Sequence, residues 1–185
     1  MAGPSLKHAY IGLQKFVFSR PFSSSWLTID EQTFGERPRR LSQVFNPYPL
    51  YFVTFCTHRR RRCLASAEVH AAFVQFGTLA HNQFNIAIGQ YVIMPDHVHL
   101  FVRGADEFVL GRWTGTLKQA LAKAGNFSRT VGQIWQEGFF DHVLRSDESY
   151  ARKCEYVHQN PVRAGLVKLA EDSPYQGEIV HIDRA

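Results

Sequence analysis

The chain has 185 residues, is 45% hydrophobic and carries a formal net charge of +5, which suits one domain with a substantial core. No apolar run approaches the roughly 20 residues that span a bilayer. Gln14 and Lys15 interrupt the N-terminal apolar stretch, which argues against a secretory signal, and Cys56, Cys63 and Cys154 form no C-x-x-C pair, which favours a reducing, cytoplasmic setting over a disulfide framework or zinc knuckle.

The charge is unevenly placed. Residues 1–62 hold ten Lys or Arg against three Asp or Glu, and residues 63–185 hold eleven against thirteen. A basic front half on a near-neutral body suits an anionic partner, nucleic acid being the commonest. Residues 1–36 show no period and read as an N-terminal extension with disordered stretches. Arg37-Pro38-Arg39-Arg40 then opens the domain with a basic patch.

Leu50 to Thr57 is rich in β-branched and aromatic residues and reads as a strand. It runs into Arg59-Arg60-Arg61-Arg62, which would meet phosphates as a basic cluster or stand as a solvated loop. From Ala67 to about Asn82, Val69, Ala72, Phe73, Phe76 and Leu79 or Ala80 recur at helical spacing. Ile86 to Ile88 and Tyr91 to Met94 form a second strand with a bulge at Gly89.

Pro95-Asp96 turns the chain into a third strand that starts at His97. Side chains alternate along a strand, so His97 and His99 share one face while Val98, Leu100 and Val102 take the other. Two imidazoles side by side are half of a metal site, or a hydrogen-bonded histidine pair in a half-buried sheet.

Residues 107–124 form a second helix on Phe108, Leu110, Trp113, Leu117, Leu121 and Ala124, stopped by Gly125-Asn126. A turn-rich stretch from Ile134 carries a short strand near its end. A third helix starts at Asp147-Glu148 and runs to about Asn160, where Pro161 ends or kinks it. The order β-α-β-β-α-β-α is an α+β pattern with an antiparallel sheet.

On that third helix Tyr150, Ala151, Cys154 and Val157 form the core stripe. Tyr156 lies off it, and Ser149, Arg152, Lys153 and Asn160 fall within about 60° of the tyrosine. A phenol flanked by cations is a candidate nucleophile, because positive charge favours the phenolate. The plain alternative is an exposed tyrosine packed over Arg and Lys stems.

Three blocks together resemble the HUH single-tyrosine transposases, and in particular the REP-associated tyrosine transposases. They are Val92-Ile93-Met94-Pro95-Asp96-His97-Val98-His99, then Trp135-Gln136 with Phe140 to Arg145, then Tyr156 to Val167. The resemblance runs from about Arg39 to Lys168, with the domain at 37–170 and a C-terminal tail at 171–185. It implies a ferredoxin-like antiparallel sheet with helices on its faces, the HUH-endonuclease type. It further implies that His97, His99 and Asn160 bind one Mg²⁺ or Mn²⁺ ion, and that Tyr156 attacks single-stranded, hairpin-forming repeat DNA through a 5′-phosphotyrosine link.

Arg37, Arg39, Arg40, Arg59, Arg60, Arg61, Arg62, Arg152 and Lys153 are the DNA-contact candidates on charge placement. No membrane partner is expected, a nucleoid-associated location is, and both monomer and homodimer suit the chain. Residues 1–36 have no counterpart in the family, and Ser173-Pro174-Tyr175-Gln176-Gly177 replaces its usual Trp-Pro-Tyr-Ser-Ser-type segment. Two other functions share these residues: a catalytically silent hairpin-binding protein, and a metal-dependent phosphoesterase that uses water, with Asp96 and His142 as added ligands.

Overall fold

The computed structural model describes residues 48–105, 107–127, 132–144 and 147–182. Five strands form one antiparallel sheet: β1 (Leu50–Cys56), β2 (Ala87–Ile93), β3 (His97–Arg103), β4 (Phe140–Leu144) and β5 (Gln176–Glu178), in the order β4-β1-β3-β2-β5. The α+β class and the antiparallel sheet expected from the sequence are both present. The bulge expected at Gly89 appears as a register shift between Ile88 and Tyr91 against β3.

Helices cover both faces. On one side α1 (Ala67–Phe84) and α2 (Leu110–Ala124) pack on each other. Val69 and Phe73 from α1 and Trp113, Leu117 and Leu121 from α2 bury against Val53, Phe55, Val98, Leu100 and Val102. Burying each such side chain is worth about 1.5–3 kcal/mol. Ser66 caps α1, its Oγ accepting the Val69 amide, and Asn85 ends it in the left-handed region at φ 51°. At the expected anchor position 79/80, Ala80 is buried and Leu79 is exposed.

On the other face α3 (Asp147–His158) lies over β2, and its Tyr150, Cys154 and Val157 pack with Phe52, Val92, Met94 and Phe101. Ala151, which the periodicity placed in this stripe, is exposed, because a helix over one strand buries only a narrow band. Pro161 kinks the helix rather than ending it. Gln159 keeps helical angles (φ −82°, ψ −3°), and α4 (Asn160–Arg163) continues past the missing proline N–H. Gly165, at φ +66°, then stops the chain, with its N–H bonded to Val162 O and the Leu166 N–H to Pro161 O, the paired bonds of a Schellman end.

The segment read as a tail belongs to the sheet and both cores. β5 pairs with β2, Ile182 is buried in the α3-side cluster, and Ile179 packs from the α1 side. A Cβ on Gly77 of α1 would collide with Ile179 and Ile88, so a glycine lets this last segment lie close to the helix.

Candidate active site

The histidine strand divides its side chains between the two cores as alternation requires. Val98, Leu100 and Val102 face α1 and α2, and His97, His99 and Phe101 face α3. The His97 and His99 rings stand edge to face with centroids 4.7 Å apart. Each is held at Nδ1: His97 Nδ1 lies 2.7 Å from Asp96 Oδ1, and His99 Nδ1 lies 2.6 Å from Thr54 Oγ1. An ionised carboxylate only accepts, so His97 donates from Nδ1 when neutral and leaves Nε2 with its lone pair.

Thr54 faces His99 by strand register, and Phe52 beneath stacks on the same ring at 5.4 Å and 20°. Burial lowers the pKa of both imidazoles. For His99, burial first and then the charges of His97, Arg60 and Lys153 bring it to about 3. For His97, burial outweighs the raising effect of Asp96. The pair is therefore neutral at neutral pH, the state in which imidazole ligates a metal.

The arginine run divides into different environments. Residues 58–60 form a single 3-10 turn after β1, with Arg59 and Arg60 at positive φ (53° and 55°), a conformation costing roughly 1–2 kcal/mol per non-glycine residue. Arg60 Nε ion-pairs with Asp96 Oδ2 at 2.9 Å, and another of its nitrogens donates to Cys56 Sγ. Arg61 donates to the Gln133 carbonyl. Arg59 and Arg62 are exposed.

Backbone bonds weld this loop to the Pro95-Asp96 turn. The Thr57 N–H donates to Asp96 O, and the Cys63 and Leu64 N–H groups donate to Pro95 O. Asp96, weighed from sequence as a turn former or an extra ligand, is thus the carboxylate that joins Arg60 to His97.

From the opposite side, α3 brings Tyr156 to within 5.7 Å of His99 between ring centroids, at 69°. The tyrosine is 42% exposed, so solvent reaches it, and Asn160, one turn on, is 8% exposed. Lys153 sits 4.8 Å over the Phe52 ring, beside His99, and Arg152 is exposed. The cation over the tyrosine ring itself is Arg163 of α4, 4.9 Å from the centroid. Sequence reasoning left Arg163 out because it lies beyond the kink, and its place one residue after Val162 in the third block was the available signal.

His142 lies on β4 opposite Phe52, one strand beyond β1 from the histidine strand. Arg37, Arg39 and Arg40 lie outside the described residues, as does the N-terminal extension. Among the described residues no three His, Cys, Asp or Glu side chains gather as a metal cluster. The ligand set implied by resemblance has two histidines and an amide. Its two imidazoles are neutral and hydrogen-bonded at Nδ1, which fits a divalent cation.

Residues 49–160 match the model of the family described as IS200-like transposases. A REP-associated tyrosine transposase of Escherichia coli K12 is 32% identical over 91 residues, which cover 48% of this chain and 52% of that protein. The match thus spans about half the length of that relative. A Haemophilus influenzae protein assigned to the same type is 28% identical over 141 residues, covering 68% of this chain and 77% of that one. Among solved structures, a REP-associated tyrosine transposase bound to a REP hairpin superposes with a TM-score of 0.60 at 20% identity, covering 75% of this chain and 82% of that one. At that identity the likeness establishes the fold.

Proposed function

Because the chain belongs to the IS200-like transposase family, we propose that it nicks and rejoins single-stranded, hairpin-forming repeat DNA with Tyr156 as nucleophile. One observation carries the reading. The α3 tyrosine and the β3 histidine pair, 57 positions apart between His99 and Tyr156, meet ring to ring at 5.7 Å on one face of the sheet.

Tyr156 Oη attacks the phosphorus of the scissile phosphodiester, forming a P–O bond to the phenol as the P–O bond to the 3′ oxygen breaks. The phenol gives up its proton and the departing oxygen gains one as a 3′-OH, leaving a 5′-phosphotyrosine. One phosphodiester replaces another, so the bond energy is kept, no nucleotide cofactor is required, and strand transfer is the reverse step.

Arg163, over the phenol ring, restricts how Tyr156 turns. Lys153, beside His99, places positive charge where the attacked phosphate would lie. His97, His99 and Asn160 would hold one Mg²⁺ or Mn²⁺ ion, which when bound supplies polarisation of the phosphate and neutralisation of its charge. Asp96 and Thr54 hold the two imidazoles in orientation for that task. Arg59 and Arg62 supply phosphate contacts along the strand. No described helix is long and apolar enough to cross a membrane, and a DNA substrate places the protein at the nucleoid.

The test is end-labelled single-stranded DNA that carries the palindromic repeats flanking this chain's gene, incubated with Mn²⁺ and wild-type protein or Tyr156→Phe. A metal-dependent nick with a covalent protein–DNA adduct, both lost in the variant, is expected. Cleavage that survives in Tyr156→Phe would mean a water nucleophile. Tight binding with no cleavage by wild type would make the protein a hairpin binder.

A further inference from the structure

We propose that Phe140 of β4, with its strand neighbour His142, is a stacking platform for an unpaired nucleobase of the DNA strand held at the candidate active site. This inference rests on the reading of the site as a single-strand DNA nuclease. Phe140 is 59% exposed, among the most exposed large apolar side chains of the described residues, and it is the first residue of strand β4, paired in the ladder with β1.

Register decides which face it occupies. Phe140 stands directly opposite Thr54, and Thr54 stands directly opposite His99, to which its hydroxyl is bonded. Residues directly opposite one another in an antiparallel pair share a face, so Phe140, Thr54 and His99 form one row across the sheet. Two strand spacings separate Phe140 from His99, about 10 Å, close enough for the base of a nucleotide flanking the phosphate attacked by Tyr156.

The neighbouring row repeats the pattern: exposed His142 stands opposite Phe52, which carries Lys153 over its ring. Alternation sends Asp141 to the other face, so the surface between β4 and the histidine pair presents aromatic rings and a cation. That combination binds single-stranded nucleic acid: rings take the faces of bases of any sequence and cations follow the backbone. Among the described residues the sheet ends at β4, and no further described strand borders this row.

The experiment measures binding of the fluorescein-labelled repeat strand by full-length protein in EDTA, where no cleavage intervenes, with single abasic substitutions walked through the nucleotides around the cleavage position. Phe140→Ala is expected to weaken binding about 5- to 150-fold, and Phe140→Trp to retain it. For wild type one abasic position costs a similar factor, and for Phe140→Ala that same position costs nothing further.

Far-UV circular dichroism and the melting temperature of Phe140→Ala confirm the fold, since an exposed side chain is replaced. Equal binding by Phe140→Ala, or a loss that does not couple to any abasic position, overturns the platform. Adduct formation by wild type in Mn²⁺, measured separately, tests the nuclease reading by itself. An adduct without coupling removes only the platform, and coupling without an adduct leaves a base-stacking DNA binder.

Discussion

Arg60 Nε lies 2.9 Å from Asp96 Oδ2, and the other oxygen of that carboxylate lies 2.7 Å from His97 Nδ1. A residue of the arginine run is thereby coupled to the histidine strand across 37 positions of sequence, Arg60 to His97. The carboxylate is held at its own backbone as well, since Asp96 O accepts from the Thr57 amide. Asp96 therefore sits rigidly enough to fix the His97 ring.

Asp96→Ala removes the acceptor for His97 Nδ1–H. Metal affinity typically falls 10- to 100-fold when such an outer partner is lost, and calorimetric titration with Mn²⁺ should show a loss in that range. Arg60→Ala should shift affinity in the same direction by less. Arg59→Ala and Arg62→Ala should leave Mn²⁺ binding unchanged and lessen the salt dependence of DNA binding instead. Equal Mn²⁺ affinity in all four variants would separate Asp96 from the site.

The His99 pKa, held at about 3 by burial and neighbouring cations, carries a stability signature. In the unfolded chain an imidazole titrates near 6.5, so unfolding takes up a proton between those two values. The stabilisation linked to neutral His99 is complete above about pH 6.5 and is lost as pH falls toward 3, at about 1.4 kcal/mol per pH unit. His97, also lowered, acts in the same direction. Urea unfolding in EDTA from pH 7.5 to 5.0, above the carboxylate range, should show wild type losing about 1–2 kcal/mol more than His99→Gln. Parallel curves would mean that His99 is solvated in the native state.

Arg163 stands 4.9 Å over the Tyr156 ring on the exposed side of the site. Such contacts are worth about 0.5–1 kcal/mol at exposed positions, so Arg163→Ala should slow adduct formation about 2- to 5-fold. Arg163→Lys, which keeps the charge, should recover most of that rate. A rate unchanged in Arg163→Ala would leave the tyrosine oriented by its helix alone.

Much of the fold is legible locally because its signals are short-range. The alternation of His97 to Val102, the helical spacing of Leu110 to Leu121 and the Gly165 stop each depend on residues within two turns of one another. Those patterns yield the element order, the face shared by the two histidines, and Tyr156 off the buried stripe of α3.

Tertiary structure decided what those residues meet. Sequence distance conceals that Thr54 bonds His99, that Asp96 links Arg60 to His97, and that Phe140 lies in the row of the histidine strand, because each pairing follows from strand order and register. A charge run likewise reads as one surface feature, whereas the folded backbone directs Arg60, itself still exposed, and the half-buried Arg61 to partners within the protein, beside the exposed Arg59 and Arg62. Strand alternation and helix periodicity are properties of the chain itself; the partners of a charged or polar side chain are set by the elements that burial of the apolar faces brings together.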